Sequence, residues 1–230
     1  LIMNNNGLAS YFQFKNVNWP NLWSAAFETI WMTIVSILIV AVFGLLLGLL
    51  LYETSGSNSK AVKALNWVVA LFVNVFRSIP FIILIVLLLP VTQVLVGAIT
   101  GAKAAIPSLV FSAAPFYARL VEIAFHEVDG GVLEAAESMG ATKWQLVFKV
   151  LIPESLPALV SGITVTAISL IGYTAMAGAI GAGGLGQLAY TDGFQSYNNA
   201  ITLTATVVIV IIVFAFQYLG DFAVKRIDKR

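Results

Sequence analysis

The sequence predicts an all-α polytopic membrane protein with five transmembrane helices. Three observations lead there. Hydrophobic residues make up 60% of the 230 positions and charged residues only 10%, against about 25% charge in a soluble domain. Mean hydropathy is +0.95. The apolar residues also gather into blocks long enough to cross a hydrocarbon core of about 30 Å, with most charge held between the blocks. A net charge of +1, with no clustered basic patch, gives no footing for a nucleic-acid partner. The absence of cysteine excludes disulfides and thiolate metal sites.

Residues 1–26 carry no span and are expected outside the membrane. A start at Leu1 rather than Met is expected to reflect a missing or altered N-terminus. The first span covers residues 29–52, because no residue between Glu28 and Glu53 is charged. That run is too long for a signal-peptide core and lacks a basic leader, so the helix is retained. Gly44 and Gly48 within it form a G-x-x-x-G helix-contact pattern. The second span covers residues 65–96 and is interrupted at Arg77-Ser78-Ile79-Pro80. The third covers residues 104–126 and holds Arg119 and Glu122 near its end. A polar segment, residues 127–153, follows. The fourth span, residues 155–178, ends at the glycine-rich stretch Gly178 to Gly186, which turns or re-enters. The fifth covers residues 199–220. Five spans place the two termini on opposite sides.

The basic residues set the direction. With residues 127–153 inside, the inner segments hold Lys60, Lys63, Lys143, Lys149, Lys225, Arg226, Lys229 and Arg230, whereas the outer ones hold only Lys15 and Lys103. Cytoplasmic loops carry such an excess of Lys and Arg. The N-terminus is therefore expected outside and the C-terminus in the cytoplasm. Trp19 and Trp23 then anchor the outer interface and Trp67 the inner one.

The polar segment has its own internal order. Thr142-Lys-Trp-Gln145 is a capping box, with Thr142 as N-cap. Gly140 falls where a preceding helix ends in the left-handed conformation. The expectation is helix, glycine turn, helix, stopped near Pro153. Glu134-Ala135-Ala136 sets two methyl-sized side chains beside a carboxylate, which permits close approach to another surface.

Arg77 costs about 2.5–3.5 kcal/mol at the centre of a bilayer on insertion scales. It reads either as a snorkelling side chain near the cytoplasmic face or, with Asn74, Ser78 and Pro80, as a gate or substrate-path element. Arg119 and Glu122, three apart on a helix, can pair. His126 has no second ligand at metal spacing and reads as an interfacial side chain. Asp129 reads as a helix N-cap. Ser169, Tyr173 and Met176, with Thr164, Thr166 and Thr174, serve either helix packing or a path for a small zwitterion. Gly181-Ala-Gly183-Gly184-Leu-Gly186 matches a dinucleotide fingerprint, but it follows a membrane span rather than a strand, so the nucleotide reading is rejected. No catalytic set and no metal set emerges.

The segment from Glu134 to Pro153 resembles the signature loop of ABC importer permeases: Glu-Ala-Ala, three residues, Gly, nine residues, then Ile-x-Leu-Pro. Val150 and Ile152 depart conservatively from it. Four further stretches are similar to the permease subunit of methionine ABC importers. They are Asn74-Val-Phe-Arg77-Ser-Ile-Pro80, Ala113-Ala-Pro115-Phe, Gly172-Tyr173-Thr-Ala-Met176 and Gly181-Ala-Gly-Gly-Leu-Gly-Gln187. This likeness runs from about Phe27 to the C-terminus.

The resemblance implies a type I importer fold over residues 27–230, a second copy of the chain, two ATPase subunits on the cytoplasmic side and a substrate-binding (lipo)protein outside. It implies ATP and Mg on the ATPase and no cofactor in this chain, which would be no enzyme itself. Glu134, Ala135, Ala136, Ser138, Met139, Gly140 and Thr142 would form the coupling element seated on the ATPase. The function implied is ATP-driven methionine import by alternating access in the cell membrane. A permease for another small amino acid, an ion-gradient transporter and a membrane scaffold without transport are the competing readings.

Overall fold

The structure, a computed structural model, describes residues 7–228. The first six residues of the N-terminal segment lie outside the described residues, as do Lys229 and Arg230 of the basic C-terminal end. Among the described residues every regular element is helical. The five expected membrane helices are present as Trp19–Ser55 (α1), Lys60–Ser78 (α2), Ala102–His126 (α5), the continuous run Lys143–Ala179 (α7 through α8) and Asn199–Ile227 (α10). Phe81–Leu87 (α3) and Leu89–Val96 (α4) lie between α2 and α5, and Gly130–Ser138 (α6) follows α5. Lys143–Leu146 (α7) passes through a π-helical turn into Ile152–Ala179 (α8), and Gly184–Gln187 (α9) precedes α10.

Several helix bounds differ from the expected spans, each for a local reason. α1 begins ten residues earlier than its charge-free core, at Trp19 rather than at residue 29. Pro20 is tolerated in its first turn, where a missing N–H costs nothing, and Asn18 Oδ1 accepts the Asn21 N–H. Glu28 does not end the helix, since glutamate is a good helix former, and its carboxylate accepts the Gly184 N–H at 2.8 Å. The expected second span is three helices. Pro80 leaves the helical region (φ −57, ψ 134), and its carbonyl accepts the Ile83 and Leu84 N–H groups that start α3. A second break follows at Leu88, where Pro90 sits in the first turn of α4.

Pro153 does not stop the chain as expected. The π-helical winding over Val147–Leu151 carries the helix through it, and such wider turns absorb a local mismatch in the i→i−4 ladder.

The chain divides into two compact units. One comprises residues up to Leu38, Ile79–Phe111 and Ala167–Phe216. Its core is Leu22, Ala25, Ile171, Leu185, Leu188 and Ala205. The glycine-rich stretch Gly178 to Gly186 forms an elbow here. A side chain on Gly186 would fall on the Ala175 backbone, and the Gly101 N–H donates to the Gly181 carbonyl at 2.8 Å.

The other unit comprises Ile39–Ser78, Ser112–Thr166 and the chain from Gln217 onward. It is built on the second half of α5, where Ala113, Ala114, Ala118 and Ala124 are buried. These methyl-sized side chains let α1 come close, as G-x-x-x-G helices do. A Cβ on Gly44 would lie 2.6 Å from Tyr117 Cδ1, and one on Gly48 would lie 2.6 Å from both the Ala118 carbonyl and Val121 Cβ. The pattern at residues 44 and 48 is therefore a packing device within the chain. Asn66 of α2 closes the same unit by donating to the Leu51 carbonyl at 3.2 Å and Thr54 Oγ1 at 2.8 Å.

Gly48→Leu is expected to destabilise the chain by about 1–3 kcal/mol, the usual cost of overpacking, because one obstruction is backbone and cannot rotate away. Gly172→Ala, with nothing within 4 Å of the new Cβ, is the control. Thermal unfolding in detergent should show a lowered midpoint for the first and none for the second.

Candidate functional site

The polar segment folds as a capped helix–turn–helix. Asp129 caps α6, its carboxylate accepting the Gly131 N–H at 2.6 Å. Gly140 adopts φ 86, and its N–H donates to the Glu137 carbonyl at 2.9 Å while that of Ala141 donates to Ala136 at 3.1 Å. The capping box is complete. Thr142 Oγ1 accepts the Gln145 N–H at 3.4 Å, and Gln145 Oε1 accepts the Thr142 N–H at 2.9 Å. Both ends of the turn are thus fixed without help from another chain.

This geometry sorts the candidate coupling residues. Glu134, Ala135, Ser138, Met139, Gly140 and Thr142 are exposed, and Met139 is 86% so. Ala136 is buried at 8%. Its small side chain serves close packing inside the chain, not the outward approach that sequence suggested. Trp144 and Phe148 stack 5.7 Å apart with both rings exposed, an apolar pair that sequence reading did not single out; their i,i+4 spacing was the available signal. Behind α6 lies a cavity of about 410 Å³ lined by Tyr52, Glu53, His126, Glu137 and Lys143. His126 is held edge-on against the Tyr52 ring at 4.9 Å.

The candidate path residues form two patches, each within its own unit. On α8, Ser169, Tyr173 and Met176 share one face by their i, i+4, i+7 spacing. Tyr173 stacks on Phe81 at 4.8 Å, beside Pro80, and Met176 is 48% exposed. On α2, Asn74, Arg77 and Ser78 are all exposed, and Ser78 Oγ donates to the Asn74 carbonyl at 2.7 Å. Arg119 and Glu122 pair at 2.6 Å as their spacing predicts. The one carboxylate expected near the end of the third span is therefore neutralised in place, which weakens the ion-gradient reading.

Sequence reading missed one polar contact. Glu28 accepts the Gly184 N–H, and Thr29 Oγ1 accepts the Leu185 N–H at 2.9 Å. Together they supply, from α1, the capping groups that the first turn of α9 lacks locally. Gly183 and Gly184 have φ of 86 and 72, the left-handed region that favours glycine. The signal was available in Glu28 itself, a carboxylate at the edge of an apolar block with no basic neighbour on its helix.

The loop predicts its own sensitivity. Gly140→Ala meets no obstruction but places a Cβ at positive φ, at a cost of about 1–2 kcal/mol. Gly130→Ala, equally open and without positive φ, carries no such penalty. Ala136→Trp must displace its own surroundings, whereas Ala135→Trp projects outward. Limited proteolysis in membranes should cleave residues 127–153 faster in Gly140→Ala and Ala136→Trp than in their partner variants.

The family described as binding-protein-dependent transport system inner membrane component matches residues 42–230. The methionine import system permease protein MetP of Bacillus subtilis (strain 168) is 60% identical over 217 residues, covering 94% of this chain and 98% of that protein. The probable D-methionine transport system permease protein MetI of Pasteurella multocida (strain Pm70) is 45% identical over 215 residues, 92% of this chain and 99% of that one. A crystal structure described as an inward facing conformation of the MetNI methionine ABC transporter has a chain 46% identical, with a TM-score of 0.88, covering 93% of this chain and all of that one. The glycine elbow, the capped loop and the five helices thus stand in a known frame: the chain belongs to the family of binding-protein-dependent transport system inner membrane components.

Proposed function

We propose that this chain is the permease subunit of an ATP-driven importer that carries methionine across the cytoplasmic membrane. The observation that carries the reading is likeness over almost the whole chain to methionine import permeases, at 60% identity to one of them. The chain is a translocation component, not an enzyme. Two copies pair in the membrane, two ATPase subunits holding ATP and Mg bind on the cytoplasmic side, and a substrate-binding protein delivers cargo outside.

The coupling element is the exposed face of α6 and its turn, Glu134, Ala135, Ser138, Met139, Gly140 and Thr142. Caps at Asp129 and Thr142 make it stiff, so displacement by the ATPase is passed on rather than absorbed. The run Lys143–Ala179 is one continuous helix, which links the turn to the Ser169–Tyr173–Met176 face. ATP binding biases a two-state equilibrium between inward- and outward-facing forms. The Asn74–Arg77–Ser78 patch and the α8 face serve the substrate path.

In liposomes with the ATPase and the binding protein, methionine uptake should require ATP, and this chain alone should move none. Ala135→Trp and Gly140→Asp should lower both uptake and retention of the ATPase at matched permease levels. Uptake by the lone chain under an ion gradient would establish the secondary-transporter reading instead.

The orientation, N-terminus outside and C-terminus inside, is supported by the partition of charge. Counted along the alternation of the five helices, Lys60, Lys63, Lys143, Lys149, Lys225 and Arg226 fall toward one side, and Lys15 and Lys103 toward the other. In intact cells an impermeant thiol reagent should label Lys15→Cys and Lys103→Cys but spare Ser57→Cys and Ser138→Cys. Labelling of Ser138→Cys would invert the topology.

A further inference from the structure

Arg77 is the only charged residue between Lys63 and Lys103. α2 is unbroken from Lys60 to Ser78, so Arg77 lies about 26 Å from Lys60 along the axis, at about 1.5 Å per residue. That is most of a hydrocarbon core of about 30 Å, too far for the Arg77 side chain to reach back to the level of Lys60 and Lys63. On its other side the chain runs through two more apolar helices, Phe81–Leu87 and Leu89–Val96, before the Gly97 turn. Along the sequence Arg77 therefore lies between two long apolar stretches. The cytoplasmic snorkelling left open by the sequence does not fit this position.

The guanidinium is exposed and has no carboxylate partner among the described residues, unlike Arg119, which is paired with Glu122. Asn74 and Ser78 flank it at i−3 and i+1, also exposed. Because the Ser78 hydroxyl proton is committed to the Asn74 carbonyl, the donors presented outward are the guanidinium and the Asn74 amide. An unpaired guanidinium inside an apolar segment calls for an oxyanion, which it binds in a planar, bidentate manner.

We infer that Arg77, with Asn74, binds the α-carboxylate of the amino acid in transit. This rests on the import reading above and names the group by which the path holds its cargo. A lipid phosphate offers similar oxyanion chemistry, and the test separates the two.

The complete transporter, with ATPase and binding protein, is reconstituted in vesicles of phosphatidylcholine alone and in vesicles with added phosphatidylglycerol. The readout is methionine moved per ATP hydrolysed. In both lipids Arg77→Gln is expected to lower this ratio at least tenfold, and Arg77→Lys to recover it to within about threefold of the unmodified chain. If Arg77→Gln does not assemble, Asn74→Leu is expected to lower the ratio at least threefold. A ratio unchanged in Arg77→Gln, or unchanged in Asn74→Leu where that variant stands in, overturns the inference, even if uptake and hydrolysis fall together as a merely structural role would make them. A loss confined to vesicles with phosphatidylglycerol also overturns it, in favour of the lipid. Failure of the import reading would show separately, as absence of methionine uptake by the unmodified transporter.

Discussion

Hydrocarbon offers no partner for a bare N–H or C=O group, and that constraint governs the apolar helices of this chain. It explains why every regular element among the described residues is helical. It also explains what accompanies each break in a helix. At Pro80 the carbonyl at once takes up the two N–H groups that begin the next helix. At the glycine elbow the donors of Gly184 and Leu185 are met by Glu28 and Thr29. Across Pro153 the helix widens into a π turn and does not break. A charged residue such as Glu28 is admitted at the edge of an apolar helix because the elbow needs an acceptor there.

Small residues then decide how the helices meet. Lipid is as apolar as a leucine side chain, so helices gain little from burying one against another and depend on close packing instead. The second half of α5 is lined with alanine, and α1 meets it at Gly44 and Gly48. Gly220 of α10 approaches Thr164 of α8 in the same manner. Four buried hydroxyls share one pattern: Thr33, Thr54, Thr166 and Thr204 each donate to a carbonyl four residues back on their own helix. These four are satisfied locally, whereas the buried hydroxyls of Ser36, Thr92 and Ser108 have no hydrogen-bond partner among the described residues.

The polar loop obeys the opposite logic. It lies between apolar blocks, and its stability comes from caps, not burial. An Asp cap, a left-handed glycine and a reciprocal Thr–Gln box fix its shape with groups it carries itself. A loop so built can present an exposed face and still hold its shape. Ala136, turned inward, joins that face to the rest of its unit.

Much of this was legible in the sequence, because it depends on neighbours along the chain. Hydropathy fixed the number of membrane helices, cap chemistry at Asp129, Gly140 and Thr142 fixed the loop, and spacing fixed the Arg119–Glu122 pair. Tertiary structure alone decided which side chains these elements present to one another. The two alanines after Glu134 are identical as sequence, yet helical rotation exposes Ala135 and buries Ala136. The acceptors for Gly184 and Leu185 come from residues about 156 positions away, beyond any local pattern. The break at Leu88 and the passage through Pro153 were decided by how proline's missing N–H is compensated, which depends on surrounding backbone that the linear sequence does not place.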